Sequence, residues 1–178
     1  AGAVWQNKRP FSFGNTNAGS SAKHGVDGFN ALDGARDVST FDSHGRIYAV
    51  VASASHATVQ IIDLSDPMSP HAAGSWSASQ LNGAAAVSTF NADREGATGK
   101  YVIVAFPEDD GVQIINVADP GSPEVVGSLI TVAGATDVST FTWEGGVYAV
   151  VASQNQSGVV INVSSPASPT QSSSVASL

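Results

Sequence analysis

The densest group of ionisable side chains in the sequence is Glu108-Asp109-Asp110-Gly111, three carboxylates followed by a glycine. Carboxylate oxygens are the ligands that calcium prefers, and a glycine allows the sharp turn that wraps a chain around the ion. The corresponding loops elsewhere in the chain, Ser55-His56-Ala57 and Asn155-Gln156-Ser157, contain no carboxylate. The three carboxylates are therefore a weak candidate metal site, and a solvated hairpin tip is the simpler interpretation.

A second pair of carboxylates, Asp37 and Asp137, occupies matching places just before two similar strands, where a third copy has Ala86. Paired carboxylates can perform general acid–base catalysis. An aspartate that recurs at the start of a strand more simply accepts hydrogen bonds from backbone N–H groups. We therefore assign no catalytic residue to this pair.

The remaining reactive side chains form no recognisable motif. None of the histidines, at positions 24, 44, 56 and 71, is spaced from another by four residues as on a metal-binding helix. There is no cysteine, no G-x-S-x-G elbow, and neither of the glycine-rich phosphate-binding patterns. Trp5, Trp76 and Trp143 could stack on sugars, but they do not recur at one position of the repeats. The sequence thus predicts no enzyme and no cofactor.

The chain is organised by an internal repeat. The segment G-A-x-x-V-S-T-F begins at Gly34, Gly83 and Gly134, spacings of 49 and 51 residues. Each copy is followed by an apolar run (residues 47–53, 101–105 and 147–153), a V-Q-I-I-D-like run closed by a proline turn (58–67, 111–120 and 158–166), and a weaker strand (71–76, 124–129 and 170–175). The turn between the V-S-T-F segment and the apolar run is predicted to be short in the first and third repeats and longer, at residues 91–99, in the second.

Four short strands per repeat, rich in β-branched residues and joined by turns, predict antiparallel four-stranded meanders. The middle strands are apolar on both faces, which indicates that both faces are covered. A period near 50 residues is typical of propeller blades. We therefore predict an all-β fold with an arm at residues 1–30 and a propeller-like arc of three repeats at 31–178, divided at about 31–79, 80–130 and 131–178.

The combination of L-D-G-A-x-D-V-S-T-F, Y-A-V-V-A-S, V-Q-I-I-D-x-S-D-P and G-S-W or G-S-L resembles the LVIVD-type repeat. The resemblance covers residues 32–175 and implies β-propeller blades. The matching residues are strand and turn positions, so the resemblance implies no particular activity. The third copy departs from it by one missing residue, by lacking the glutamine found at Gln60 and Gln113, and by Ser165 in the closing turn.

An arc of three blades leaves a sheet face at each end, and the arm contributes Trp5, Phe11 and Phe13 as candidate partner-binding residues. Apolar faces and aromatic anchors of this kind are typical of protein interfaces. The sequence therefore predicts a structural or docking protein that binds other subunits or itself. The alternatives are a lectin-like carbohydrate- or surface-binding module and, third, a hydrolase with an acidic cluster.

The charge of the chain limits its other partners. Fifteen acidic residues against seven basic ones give a net charge of −8, which disfavours binding to phosphate backbones of nucleic acids. No apolar run approaches the ~18 residues of a membrane span. The small residues at the start suggest a mature protein from which a leader was removed, and Asn155 lies in a glycosylation acceptor pattern. We expect an extracellular or cell-surface, periplasmic, or organelle-lumen location such as the thylakoid lumen.

Overall fold

The computed structural model of the protein describes residues 32–55, 57–77, 82–94, 97–155 and 158–175. These residues form three antiparallel sheets of four strands, so the predicted fold class is confirmed. Blade 1 contains β1 (Ala35–Ser43), β2 (Arg46–Ser53), β3 (Thr58–Asp63) and β4 (His71–Ser77); blade 2 contains β5 (Ala86–Arg94), β6 (Ala97–Phe106), β7 (Gly111–Asn116) and β8 (Glu124–Thr131); blade 3 contains β9 (Ala135–Trp143), β10 (Gly146–Ser153), β11 (Gly158–Asn162) and β12 (Thr170–Val175).

The described residues include no α-helix, and a 3-10 turn at Pro107–Asp109 precedes β7. None of the described residues belongs to a helix with the length and apolarity that crossing a membrane requires.

Two-residue turns close the first hairpins of blades 1 and 3. His44 and Gly45 have φ angles of 51° and 74°, and Glu144 and Gly145 have 46° and 76°. Two successive residues with positive φ are the signature of the turn whose twist matches that of the flanking strands. Glycine accepts this conformation without steric cost, which explains the H-G and E-G pairs at these turns.

The corresponding turn of blade 2 corrects one prediction. Residues 91–99 were expected to form a long loop, but Asn91 pairs with Lys100 and Arg94 with Ala97 in the β5–β6 ladder. Both strands continue past the point where the apolar pattern ends. Backbone pairing therefore continues through this hairpin, and a hydrophobicity pattern does not register such an extension.

A buried glutamine holds the outer strand of blades 1 and 2. The Nε2 group of Gln60 donates to the carbonyl of Gly74 at 2.7 Å, and that of Gln113 donates to the carbonyl of Val126 at 3.3 Å. The register of each outer strand shifts beside these bonds. The side-chain amide satisfies carbonyls next to the irregularity in the ladder. In blade 3 this position, opposite Val151, is Val159.

Blade 2 lies between the other two blades, and two separate apolar clusters join them. One includes Val50 and Ile61 of blade 1 with Val102 and Ile115 of blade 2. The other joins blade 2 to blade 3 through Ile103, Ile114 and other buried residues. The innermost strands β1, β5 and β9 adjoin in that order. The three repeats thus form an arc with an end face on blade 1 and another on blade 3.

Candidate interaction face

Each blade directs one set of side chains toward the blade that follows it. In blade 1, Phe41, Tyr48, Val50 and Ala52 are buried in the cluster shared with blade 2. The cross-strand pairing places Phe90, Tyr101, Ile103 and Ala105 at the same positions of blade 2, and these are buried against blade 3. The repeat therefore encodes the interface between blades as well as the blade itself.

The matching set in blade 3 is uncovered. Phe141 is 44% exposed, Val150 is 37% exposed and Trp143 is 59% exposed. We call the surface formed by Phe141, Trp143, Tyr148, Val150 and Ala152 the blade 3 end face. It carries the apolar character of an interior surface, because its equivalents in blades 1 and 2 are buried.

The aromatic pair on this face has the geometry of the buried pairs. The rings of Phe141 and Tyr148 are 5.6 Å apart at an interplanar angle of 22°. The two pairs at the buried positions are stacked at 5.3 Å and 21°, and at 5.5 Å and 25°. Burial between blades is therefore not required for this stacking. The blade 3 end face is held in the shape that the other two blades use for contact with a neighbour.

Trp143 distinguishes the blade 3 end face from its equivalents. It pairs with Gly146, whereas Ser43 pairs with Arg46 at the same position of blade 1. The indole meets the ring of Tyr148 edge to face, with centroids 6.2 Å apart. A tryptophan supplies a large contact area and is enriched among the residues that dominate interface energies.

Serine and threonine hydroxyls link the inner strands of adjacent blades. Ser39 Oγ lies 3.0 Å from Thr89 Oγ1, and Ser88 Oγ lies 2.9 Å from Thr140 Oγ1. Each threonine also donates to a carbonyl of the preceding blade, at 2.9 Å. At both junctions the serine of one blade thus contacts the following blade, and the threonine contacts the preceding one.

The aspartates before the inner strands are structural. Asp37 accepts hydrogen bonds from the N–H groups of Val38 at 2.8 Å and of Val87, in the next blade, at 2.9 Å. Asp137 accepts from the N–H of Val138 at 2.8 Å. This agrees with the interpretation of the pair as acceptors of backbone hydrogen bonds. The contact of Asp37 with blade 2 was not predicted.

The acidic loop also forms hydrogen bonds to protein groups. Asp109 accepts from the backbone N–H of Asn82, and Asp110 accepts from the N–H of Gly134 at 2.7 Å. Glu108 is exposed. The loop therefore connects the segments that lead into blades 2 and 3. Among the described residues, no three side chains of the metal-binding types are gathered as a cation site.

The most enclosed carboxylate, Asp63, closes the proline turn of blade 1. It accepts from the N–H of Ser65 at 2.8 Å, while Arg46 lies 3.0 Å and His71 3.7 Å from its other oxygen. The hydrogen bond to Ser65 and, after it, the Arg46 guanidinium hold the pKa of Asp63 below its ordinary value near 3.8. Because the folded pKa is the lower one, the stabilising contribution is complete above the unfolded pKa and is lost as pH falls through the folded pKa.

We expect Asp63→Asn to change the free energy of unfolding by less than about 1 kcal/mol at neutral pH, because the ion pair is with an exposed arginine. The amides of Asn116 and Asn162 accept the same turn hydrogen bond in the other blades, at 2.9 and 3.0 Å. Asp63→Ala should cost about 1 kcal/mol more, since the turn N–H loses its acceptor. Urea titrations at pH 7 and pH 3.5 measure both effects, and the asparagine variant should lose less stability on acidification than the wild type. An equal loss would show that Asp63 does not contribute to acid sensitivity.

Several predicted residues lie outside the described residues. The arm residues Trp5, Phe11 and Phe13 are among them, as are His24 and His56. Conversely, the S-T contacts between blades were not predicted, although the sequence contains a signal for them. The signal is the recurrence of V-S-T-F in all three repeats. A strand needs only alternating burial, so a serine and a threonine kept at fixed positions indicate a further contact of their hydroxyls.

Sheets of four antiparallel strands that pack face to face through repeated apolar sets define a protein of the β-propeller type. The model of the LVIVD repeat matches residues 96–131 and 143–177, and LVIVD repeats are associated with β-propeller folds. Both matches lie in the second and third repeats. The first repeat shows the same strand order in the structure.

The fold is similar to that of a β-propeller-like glycosidase, the exo-β-1,3-galactanase from Phanerochaete chrysosporium, whose crystal structure contains β-1,3-galactotriose. The TM-score is 0.59 at 15% sequence identity, with 77% of this chain and 34% of that chain covered. Our chain thus spans about a third of that structure. At this identity the likeness concerns the fold. A search of curated proteins gives no match.

Proposed function

We propose that the protein is a non-enzymatic structural or docking subunit that binds another protein through the blade 3 end face. One observation carries the proposal: side chains that are buried between blades in the first two repeats are exposed, in the same arrangement, in the third. Apolar surface of this kind gains about 25 cal/mol per Å² when a partner covers it.

A second contact is proposed for the arm. Trp5, Phe11 and Phe13 are aromatic residues in a segment otherwise rich in glycine, serine and asparagine. Such anchors are typical of segments that bind neighbouring subunits. We further propose that the protein works outside the cytosol or within an organelle lumen.

A binding role accounts for the candidate catalytic groups better than an enzymatic role does. Asp37, Asp137, Asp109 and Asp110 each accept a hydrogen bond from a backbone N–H group. A general acid or base must instead present its oxygen to a substrate. The positions shared with the LVIVD repeat are likewise strand and turn positions.

Hydroxyl-radical footprinting tests the proposed docking role. In native assemblies, oxidation of Trp143 and Phe141 should fall severalfold relative to the isolated 178-residue chain, because a partner covers them. Val125 is 49% exposed on the middle blade and is the internal control, since its oxidation should not change. Equal oxidation of Trp143 and Phe141 in both samples would contradict the proposal.

The lectin-like alternative rests on a different property of the same surface. Phe141, Trp143 and Tyr148 form an aromatic group of the kind that stacks on sugar rings. The repetition of the Phe–Tyr pair in two buried interfaces favours a protein partner instead. A glycan array separates the two: sugar binding that Trp143→Ala abolishes would favour the lectin.

A further inference from the structure

We infer that the occupant of the blade 3 end face is blade 1 of a second copy of this chain, so that two copies close head to tail into a ring of six blades. This inference rests on the proposed docking role and identifies the partner. The ring would have the blade number of ordinary propellers, which is typically four to eight.

Exposed apolar side chains lie on the outer side of blade 1 as well as on the blade 3 end face. Among the described residues, Val38 is 58% exposed and Ile47 is 49% exposed on the outer side of blade 1. Their equivalents on the later blades are buried: Val87 and Val138 match Val38, and Val147 matches Ile47. The inner edge of blade 1 therefore carries the complement of the blade 3 end face.

The hydroxyl contacts between blades are incomplete at the two ends of the arc. Ser39 pairs with Thr89, and Ser88 pairs with Thr140. Within the described part of the chain, the hydroxyls of Ser139 and Thr40 have no hydrogen-bond partner. Both residues lie on inner strands, where the pattern requires a serine to meet the threonine of the following blade. In the ring, Thr40 of the second copy meets Ser139 of the first, and Ser139 of the second copy meets Thr40 of the first.

Opposite charges lie on the two faces that would meet. A groove of about 360 Å³ on the blade 3 end face is lined by Asp137, Val150 and Gly158, among others. A depression on the outer side of blade 1 is lined by Arg36, Asp37 and Val38, among others, and the Asp37 carboxylate already accepts hydrogen bonds from the N–H groups of Val38 and Val87. Neither Arg36 nor Asp137 forms an ion pair within the described residues. A head-to-tail joint brings the two opposite charges to the same place.

The contact between two copies is restricted to the inner strands of the two faces, because the outer strands are unsuited to it. On blade 1, Ala49, Val51 and Ile62 are already buried within the chain. On blade 3, Ser173 stands opposite Val160, where blade 1 has Gly74 opposite Ile61. Two joints through inner strands bury roughly 600 Å², which is small for a stable complex. We therefore expect a dissociation constant of about 10 μM or weaker.

Cysteine pairing tests the geometry directly, because the chain contains no cysteine of its own. Ser139→Cys and Thr40→Cys chains are mixed at about 100 μM and 150 mM salt, and oxidised. A covalent dimer should form in the mixture and be far weaker for either variant alone. Ser39→Cys/Thr89→Cys within one chain is the positive control, since its hydroxyls are already 3.0 Å apart and suit a disulfide.

The outcomes separate this inference from the docking role. Dimers of Ser139→Cys alone would show that two end faces meet symmetrically and would overturn the head-to-tail joint. No intermolecular disulfide, with the control closed, would overturn self-pairing; the docking role would then stand or fall by protection of Trp143 in native assemblies. The double variant Ser139→Cys/Thr40→Cys should give a two-chain product, and a ladder of longer products would contradict the closed ring.

Charge reversal gives a measurement that does not depend on cysteines. Arg36→Asp changes both joints of the ring and should weaken self-association by about a hundredfold, which is about tenfold for each nearby like-charge contact at a protein surface. Combining Arg36→Asp with Asp137→Arg should restore most of the affinity in sedimentation equilibrium. Unchanged affinity in the single variant, or no restoration in the double variant, would contradict the proposed joint.

Discussion

Val150→Glu is expected to leave the chain folded while abolishing its association, whereas Ile103→Glu is expected to unfold it. The two residues occupy the same position of their blades, opposite Val160 and Ile114 respectively. Val150 is 37% exposed, and Ile103 is inaccessible between blades 2 and 3. A carboxylate at position 103 would be buried without a partner, a change that costs more than about 4 kcal/mol.

Circular dichroism and light scattering measure both effects. The Val150→Glu chain should keep its β-sheet spectrum and melt within about 3 °C of the wild type, because a partly exposed substitution costs little. Its mass should fall to the 18.0 kDa of one chain at concentrations at which the wild type associates. Val125→Glu is the matched control for an added charge at an exposed valine, and its association should be unchanged.

Three results would contradict this expectation. Unfolding of the Val150→Glu chain would show that the blade 3 end face is covered within the chain. Unchanged mass of that variant would show that association uses another surface. A folded Ile103→Glu chain would indicate that blades 2 and 3 separate without loss of structure, which the shared apolar cluster does not allow.

The strands could be predicted because their signals are local. Runs of valine and isoleucine bounded by Asp-Pro or glycine define where a strand begins and ends, and three copies of the pattern fix the blade. The sequence does not indicate in the same way which blade faces are exposed to solvent. Phe41 and Phe141 lie in nearly identical sequence, yet one is buried and the other exposed, because burial depends on the neighbouring blade.

Contacts between blades were the other part that the sequence left undetermined. Asp37 accepts a hydrogen bond from Val87, fifty residues later in the chain, whereas among the described residues Asp137 bonds to its own strand. No local pattern distinguishes the two aspartates. The hairpin at residues 91–99 was missed for a related reason: backbone pairing extends strands through polar residues. Sequence patterns indicate which residues are apolar and where turns occur. The candidate interaction face is instead defined by apolar side chains that no neighbouring blade buries, which only the structure reveals.

The final prediction concerns the close approach of blade 1 to blade 2. Gly74 lies in the outer strand of blade 1, and a Cβ atom there would lie 2.3 Å from the carbonyl oxygen of Pro120 in the proline turn of blade 2. The obstructing atom belongs to the backbone and cannot rotate away. Gly74→Ala should therefore destabilise the protein by about 2–3 kcal/mol, lowering the melting temperature by roughly 5–10 °C.

Gly121→Ala is the matched control, because a Cβ atom there meets nothing nearer than an Asp119 carboxylate oxygen at 3.4 Å. It should shift the melting temperature by less than about 2 °C. Equal effects of the two substitutions would contradict the close approach. A Cβ atom on Gly127 would lie 3.0 Å from the carbonyl oxygen of Ala167 in the proline turn of blade 3, so blades 2 and 3 approach each other closely at the equivalent place.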